Sequence, residues 1–423
     1  MIAKHIADPY EGNVLAAGLG PIQSPAGILR AHTCLPPTPS GAEDAPTHVR
    51  LHFLMRLLDL HIPPLVERQL SETTSLILRE GYRYRDPTSA HTWSLVGGQG
   101  YRLGKRPPGA FAACVSGIPG VGKTRACQNS LACYPQLLEH EHFPGLEGSL
   151  LQVTWQSVEV PPTGRAGDLA RALMESWDTS TGGYRFESWL MKAHMKDSMR
   201  ALDEWRQVAS SHFLGVLHLD EIQNLFKIAN LNRRRYRKGT SELPELSIVE
   251  DRTLRWILQL TNTAHIPLLV SGTPDGVGAL SKRLGTLQRV NAFGYHEFSP
   301  IAFVPGQDPP GGPLMGALSR YQYVKQPLAI DDEAARRILQ LAAGVPRILI
   351  ALWIAAHRVV FDRGKDALEI EDFEKAADTW LSPLRPAVAA IRSGDSLKLA
   401  GYHDLLPKES EFWKSLWTSV TSG

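Results

Sequence analysis

Four apolar runs punctuate the middle of the chain, and each ends in a polar or glycine-rich turn. "AFAACVS" stops at Gly117, "SLLQVTWQSVEV" stops before Pro161, "FLGVLHL" runs into Asp220, and "IPLLVSG" runs into Thr273. Runs of this kind predict strands, and "AFAACVS" can be one buried on both faces. Between them, "GDLARALMESWD" and "SWLMKAHMKDSMRALDEWRQVAS" repeat apolar residues every three or four positions, which predicts helices. Strands alternating with helices predict an α/β core over residues 111–303, a parallel sheet with helices on both faces. Residues 47–110 are helical in pattern, interrupted at Pro63-Pro64. Residues 1–46 are rich in Pro and Gly and read as a flexible arm. A Pro/Gly break around Val304–Leu314 precedes three helical patterns, a small α-helical lid over 314–385. The tail, 393–423, is polar but places Phe412, Trp413, Leu416 and Trp417 together, a face that packs on the core or docks a partner.

The turn after the first run reads "SGIPGVGKTRACQ", G-x-x-x-x-G-K-T from Gly117 to Thr124. Strand, glycine loop and helix follow one another here, the context in which such a loop cradles phosphates. Gly117, Gly120 and Gly122, with Val121 between them, let the backbone approach an anion, and the helix that opens at Lys123, Thr124 and Arg125 adds its N-terminal dipole. Lys123 would reach the β- and γ-phosphates of ATP, and the Thr124 hydroxyl would hold Mg²⁺. The strand ending in Asp220-Glu221 supplies the partner carboxylates: Asp220 for Mg²⁺, Glu221 to polarise the attacking water. The strand ending in Ser271-Gly272-Thr273 offers a polar residue to sense the γ-phosphate, Thr273 first and Ser271 second. "GVPR" opens a lid helix, so Arg347 at its first turn could reach a phosphate.

Composition narrows the class. The chain has 423 residues, 43 % hydrophobic and 21 % charged, enough for two or three globular domains. No run of 18 apolar residues suggests a membrane span, and the N-terminus lacks a signal-peptide core. The four cysteines, Cys34, Cys114, Cys127 and Cys133, form no CxxC pair and read as thiols of a reducing cytoplasm. His140 and His142 read as structural rather than metal-binding. Net charge is only +2, but it is patchy: "NRRRYRKG" holds Arg233, Arg234, Arg235, Arg237 and Lys238. That run is either a phosphate-backbone contact or a solvated loop.

The P-loop, the DE strand, the polar strand tip and the GxPR lid together resemble the AAA+ ATPases. A narrower likeness is carried by "LREGYRYRDP", "CYPQLLEHEHF", "WDTSTGGY", "DEIQNL" and "LTNTAHIPLLVSGTP", which are similar to blocks of TnsC-type transposition regulators. The resemblance covers roughly Thr47 to Trp380. It implies a bacterial cytoplasmic ATPase that binds ATP and Mg²⁺ and assembles on duplex DNA as a ring or filament, six or seven subunits per turn. Its partners would be a DDE transposase and a target-selection protein of the TniQ type, in some systems an RNA-guided complex of CRISPR-associated transposons. It also implies a trans-acting arginine finger after the GTP block: Arg289 first, Arg283 second, since only "QR" stands where two arginines are common. Pore-facing DNA contacts would come from Thr163 and Arg165 and from the run Arg233 to Lys238. An AAA+ helicase loader or replication initiator, and a scaffold ATPase that binds only protein, share the same core motifs.

Overall fold

The computed structural model describes residues 8–97, 111–192, 197–228, 246–248, 251–281 and 291–394. They fall into two compact units. The first comprises residues 1–32, 63–117 and 123–298; the second comprises 33–62, 118–122 and 299–423.

The first unit is built on a five-stranded sheet. Its strands are β1 (Ala112–Gly117), β4 (Trp155–Glu159), β5 (Val216–Asp220), β8 (Leu268–Gly272) and β9 (Tyr295–Phe298), in the order β4-β5-β8-β1-β9. All four pairings are parallel, which aligns the C-terminal ends of β1, β5 and β8 along one edge. Strands β1, β5 and β8 are buried throughout, as their unbroken apolar runs require. Two ribbons complete the unit: β2 (Leu137–His140) with β3 (Leu150–Val153), and β6 (Phe226–Ile228) with β7 (Leu246–Ile248), each antiparallel. The helices Ala166–Thr181 and Ser198–Ser211 pack one core face, with Trp177 and Trp205 buried among strand residues.

The segment before the glycine loop explains the block "LREGYRYRDP". Gly81 lies where a Cβ would stand 2.7 Å from the Pro267 ring, so the long helix Leu65–Arg83 can press against the start of β8. Arg85 is buried; its Nη1 donates to the Leu214 carbonyl at 2.7 Å and its Nε to the Gly81 carbonyl at 3.1 Å. These are clamps on the lower ends of the central strands. Residues read as a flexible arm are also ordered here. Asn13 caps the short helix Val14–Ala17, Leu15 is buried, and the helix Pro25–His32 buries Ile28. Pro and Gly in that stretch set turns between helices rather than freeing the chain.

His32 ends that helix in a buried cluster. Its Nδ1 lies 2.8 Å from Glu67 Oε1 and its Nε2 lies 3.3 Å from Cys133 Sγ. Burial by itself would lower the imidazole pKa, but the Cys133 and Glu67 contacts outweigh it and raise it from 6.5 to about 9. A pKa raised on folding stabilises the fold most below the unfolded value and loses that stabilisation as pH climbs through the folded one. His32→Gln is therefore expected to cost most stability below pH 6.5, the deficit shrinking as pH passes about 9. Urea denaturation of both proteins across that range checks it.

The second unit is helical. Helices Gly312–Leu318, Asp332–Leu341, Pro346–Asp362 and Ile370–Asp378 enclose a core around Trp353, Leu352 and Phe373. The helix Thr47–Met55 joins this core through Leu54, and Leu57 follows in the next turn. Arg50 fixes it: Nη1 and Nη2 make a bidentate pair with Asp366 at 2.7 and 3.0 Å, and Nη1 also donates to the Tyr323 carbonyl. The Pro63-Pro64 break is where the chain leaves this unit; just before it, Cys34 and His61 exchange backbone hydrogen bonds. Among the described residues, no single helix is long and apolar enough to cross a membrane.

Candidate nucleotide site

The phosphate loop follows β1. Gly120 and Gly122 have φ of +87° and +101°, a region that L side chains rarely enter. A Cβ at Gly122 would meet nothing within 4 Å, so that position faces open space. The helix Lys123–Ala132 opens directly after it, with Lys123 and Val121 buried and Arg125 half-buried. Within the second unit, to which 118–122 belong, the Arg347 N–H donates to the Gly120 carbonyl at 3.3 Å, and a Cβ on Gly120 would stand 2.9 Å from Val345 Cγ1. Arg347 is exposed at the first turn of the helix Pro346–Asp362.

Asp220, at the tip of β5, organises the carboxylate side. Thr124 Oγ1 donates to its Oδ2 at 2.6 Å, the Ser271 hydroxyl donates to its Oδ1, and the Glu221 N–H donates to Oδ1 at 2.9 Å. Burial pushes this carboxyl up, yet these hydrogen bonds from Ser271, Thr124 and the Glu221 N–H help to offset that, and it is held below the usual carboxylate range. It is therefore ionised. A Thr hydroxyl and an ionised carboxylate side by side are hard oxygen donors suited to Mg²⁺. Glu221 differs. Burial, then the Asp220 charge, raise its pKa, and its backbone is left-handed at φ +54°. That conformation costs of order 1–3 kcal/mol in a non-glycine residue and clusters at functional sites.

Gln223 was not singled out by the sequence pattern. Its Nε2 contacts Glu221 Oε2, and its Oε1 accepts from the Thr273 N–H at 3.1 Å. Gly272 and Gly276 make room for it: a Cβ would stand 2.7 Å from Gln223 Oε1 at the first and 2.6 Å from Gln223 Cβ at the second. The "DEIQ" and "SGTPDG" stretches are thus two halves of one packed corner.

The two sensor candidates separate. Ser271 is fully buried and bonded to Asp220, whereas the Thr273 hydroxyl accepts from the Gly276 N–H and caps the helix Pro274–Ser281. Thr163 and Arg165 are exposed at the start of the helix Ala166–Thr181, where the Thr163 hydroxyl donates to Asp168. Arg283, Arg289, the run Arg233 to Lys238 and the aromatic tail lie outside the described residues.

Residues 109–280 match the AAA domain family. With the parallel five-stranded sheet, the glycine loop and the acidic strand tip, the fold is that of an α/β AAA+ P-loop NTPase core. No curated protein matches the chain in sequence. Similar solved structures include the Aeropyrum pernix ORC1 protein in complex with DNA, at 15 % identity over 77 % of this chain and 66 % of that one, with a TM-score of 0.42. The Aeropyrum pernix ORC2 protein in ADPNP-ADP complexes gives 15 % identity over 77 % and 71 %, TM-score 0.41. Thermotoga maritima RuvB T158V gives 15 % over 73 % and 67 %, TM-score 0.35. The chain spans just under two thirds of the first of these.

Proposed function

We propose that this AAA-domain chain is an ATPase that uses ATP to control its assembly on duplex DNA and serves as a regulator of transposition, linking a target-selection protein to a DDE transposase. The observation that carries the nucleotide half is the pairing of Thr124 Oγ1 with Asp220 Oδ2 at 2.6 Å. The transposition half is supported by the sequence blocks that resemble TnsC-type regulators.

In this reading Gly117 to Thr124 wrap the triphosphate, and Lys123 holds the β- and γ-phosphates. Thr124 and Asp220 would hold Mg²⁺, which would supply charge neutralisation at the phosphates. Glu221 orients the attacking water, with Gln223 holding its carboxylate. Thr273 senses the γ-phosphate and Arg347 contacts a phosphate from the lid. An arginine from a neighbouring copy, Arg289 or Arg283, completes the site, a contribution worth about 10³- to 10⁵-fold in related chemistry. Hydrolysis then waits for a docked neighbour, which ties assembly to ATP and release to its cleavage.

DNA contacts in this reading come from Arg233 to Lys238, with Thr163 and Arg165. The first group lies in the chain between β6 and β7, two strands paired with each other. Replacing the five basic residues with alanine is expected to weaken duplex binding and to flatten its salt dependence, since each lost phosphate contact removes a released counterion. The primary test is electron microscopy of the protein with duplex DNA under ATP, a non-hydrolysable analogue, ADP or no nucleotide, with Lys123→Ala as control. Rings or filaments that need triphosphate are expected. Separate monomers in every condition would leave an ATPase acting on a protein client, and ATP-dependent DNA assemblies that ignore transposase would favour a loader or initiator.

A further inference from the structure

We propose that His218 is a positioning residue for the Mg²⁺-binding carboxylate, acting on Asp220 through Ser271; this rests on the nucleotide reading above. His218 stands two positions before Asp220 on β5 and is fully buried. Its ring bridges two serines on the flanking strands. Nδ1 lies 2.8 Å from Ser157 Oγ on β4, and Nε2 lies 2.8 Å from Ser271 Oγ on β8. Ser271 in turn contacts Asp220 Oδ1, while Thr124 contacts Oδ2.

The hydrogens in this chain can be assigned from the end. A carboxylate only accepts, so Ser271 and Thr124 both donate to Asp220. The single Ser271 proton is spent there, so its oxygen accepts from His218 Nε2–H. His218 Nδ1 is then an acceptor and takes the Ser157 proton. One tautomer of a neutral ring satisfies every contact. All donors point toward Asp220, an arrangement in which successive hydrogen bonds polarise one another. The outcome is a carboxylate with Oδ1 pinned by three strands and Oδ2 turned to Thr124. Ser157 and His218 are register partners across β4 and β5, so sheet pairing itself sets the first link.

A polar chain that merely satisfied buried groups would matter to folding and not to metal. The two are separated by the gain in affinity that Mg²⁺ confers on nucleotide binding, measured with a fluorescent ATP analogue in Mg²⁺ and in EDTA. His218→Leu is expected to bind the analogue in EDTA as the wild type does and to lose about 10-fold of the Mg²⁺-dependent gain, the lower end for residues that orient a metal ligand. His218→Gln, whose amide can donate to Ser271, is expected to recover most of it, and Ser157→Ala to show a smaller loss of the same quantity. Should His218→Leu fail to fold, the Gln and Ser157→Ala proteins carry the comparison. Wild-type Mg²⁺ gain in the folded variants overturns the relay and leaves the nucleotide reading standing. A wild-type protein that binds no analogue in either condition overturns both.

Discussion

Glu221→Gln is expected to bind ATP as the wild type does and to hydrolyse it about 100-fold more slowly, a barrier increase of about 2.7 kcal/mol. The substitution keeps the size of the side chain and removes its capacity to take a proton from water. The loop and Lys123 are untouched, so the ground-state contacts persist. The Thr124–Asp220 pair keeps its hydrogen bonds from Ser271 and from the Glu221 N–H, which the substitution leaves in place. Lys123→Ala should behave oppositely and lose binding itself. Phosphate release and analogue binding, measured on the same preparations, divide the two effects. Equal turnover in Glu221→Gln and wild type would remove Glu221 from the chemistry.

The largest expected effect on stability is at Gly344. Its φ is +66°, and an added Cβ would stand 2.1 Å from the Ile301 carbonyl oxygen and 2.9 Å from the Ile301 nitrogen. Those are backbone atoms, and the Ile301 N–H is itself bonded to the Gly344 carbonyl at 2.7 Å, so neither strand of chain can turn aside cheaply. The left-handed backbone alone costs about 1–2 kcal/mol for an L residue. With the displaced contact, Gly344→Ala is expected to destabilise the helical unit by roughly 3 kcal/mol, in the tail of point-mutant effects. Gly364 is the control: φ is +71° but nothing lies within 4 Å, so Gly364→Ala should cost only the backbone share. Urea denaturation followed by circular dichroism reads both; equal costs would refute the steric argument.

The sheet was largely legible because burial on both faces makes a strand a continuous apolar word. β1, β5 and β8 were read that way. β9, "YHEF", was not, since it is a short edge strand whose Tyr295 and Glu297 are exposed while His296 and Phe298 are buried. The glycine loop and Asp220-Glu221 were legible because chemistry fixes their spacing. Ser157, His218 and Gln223 were not, because what joins them is register between strands and the room left by Gly272 and Gly276. The helix Thr47–Met55 read correctly as a helix, but its Arg50 is held by Tyr323 and Asp366, 273 and 316 positions away, and no local pattern announces them.

That separation has a temporal side. A ribosome extends a chain by about 5–20 residues per second. Arg50 therefore emerges tens of seconds, at the slow end about a minute, before Asp366 exists. Through that interval Leu54 and Leu57 wait without the hydrophobic surroundings that finally enclose them. Its unit can close only after Asp366 has emerged. A message broken after the AAA segment would yield a chain whose residues 47–60 have no core to join, a natural mark for degradation.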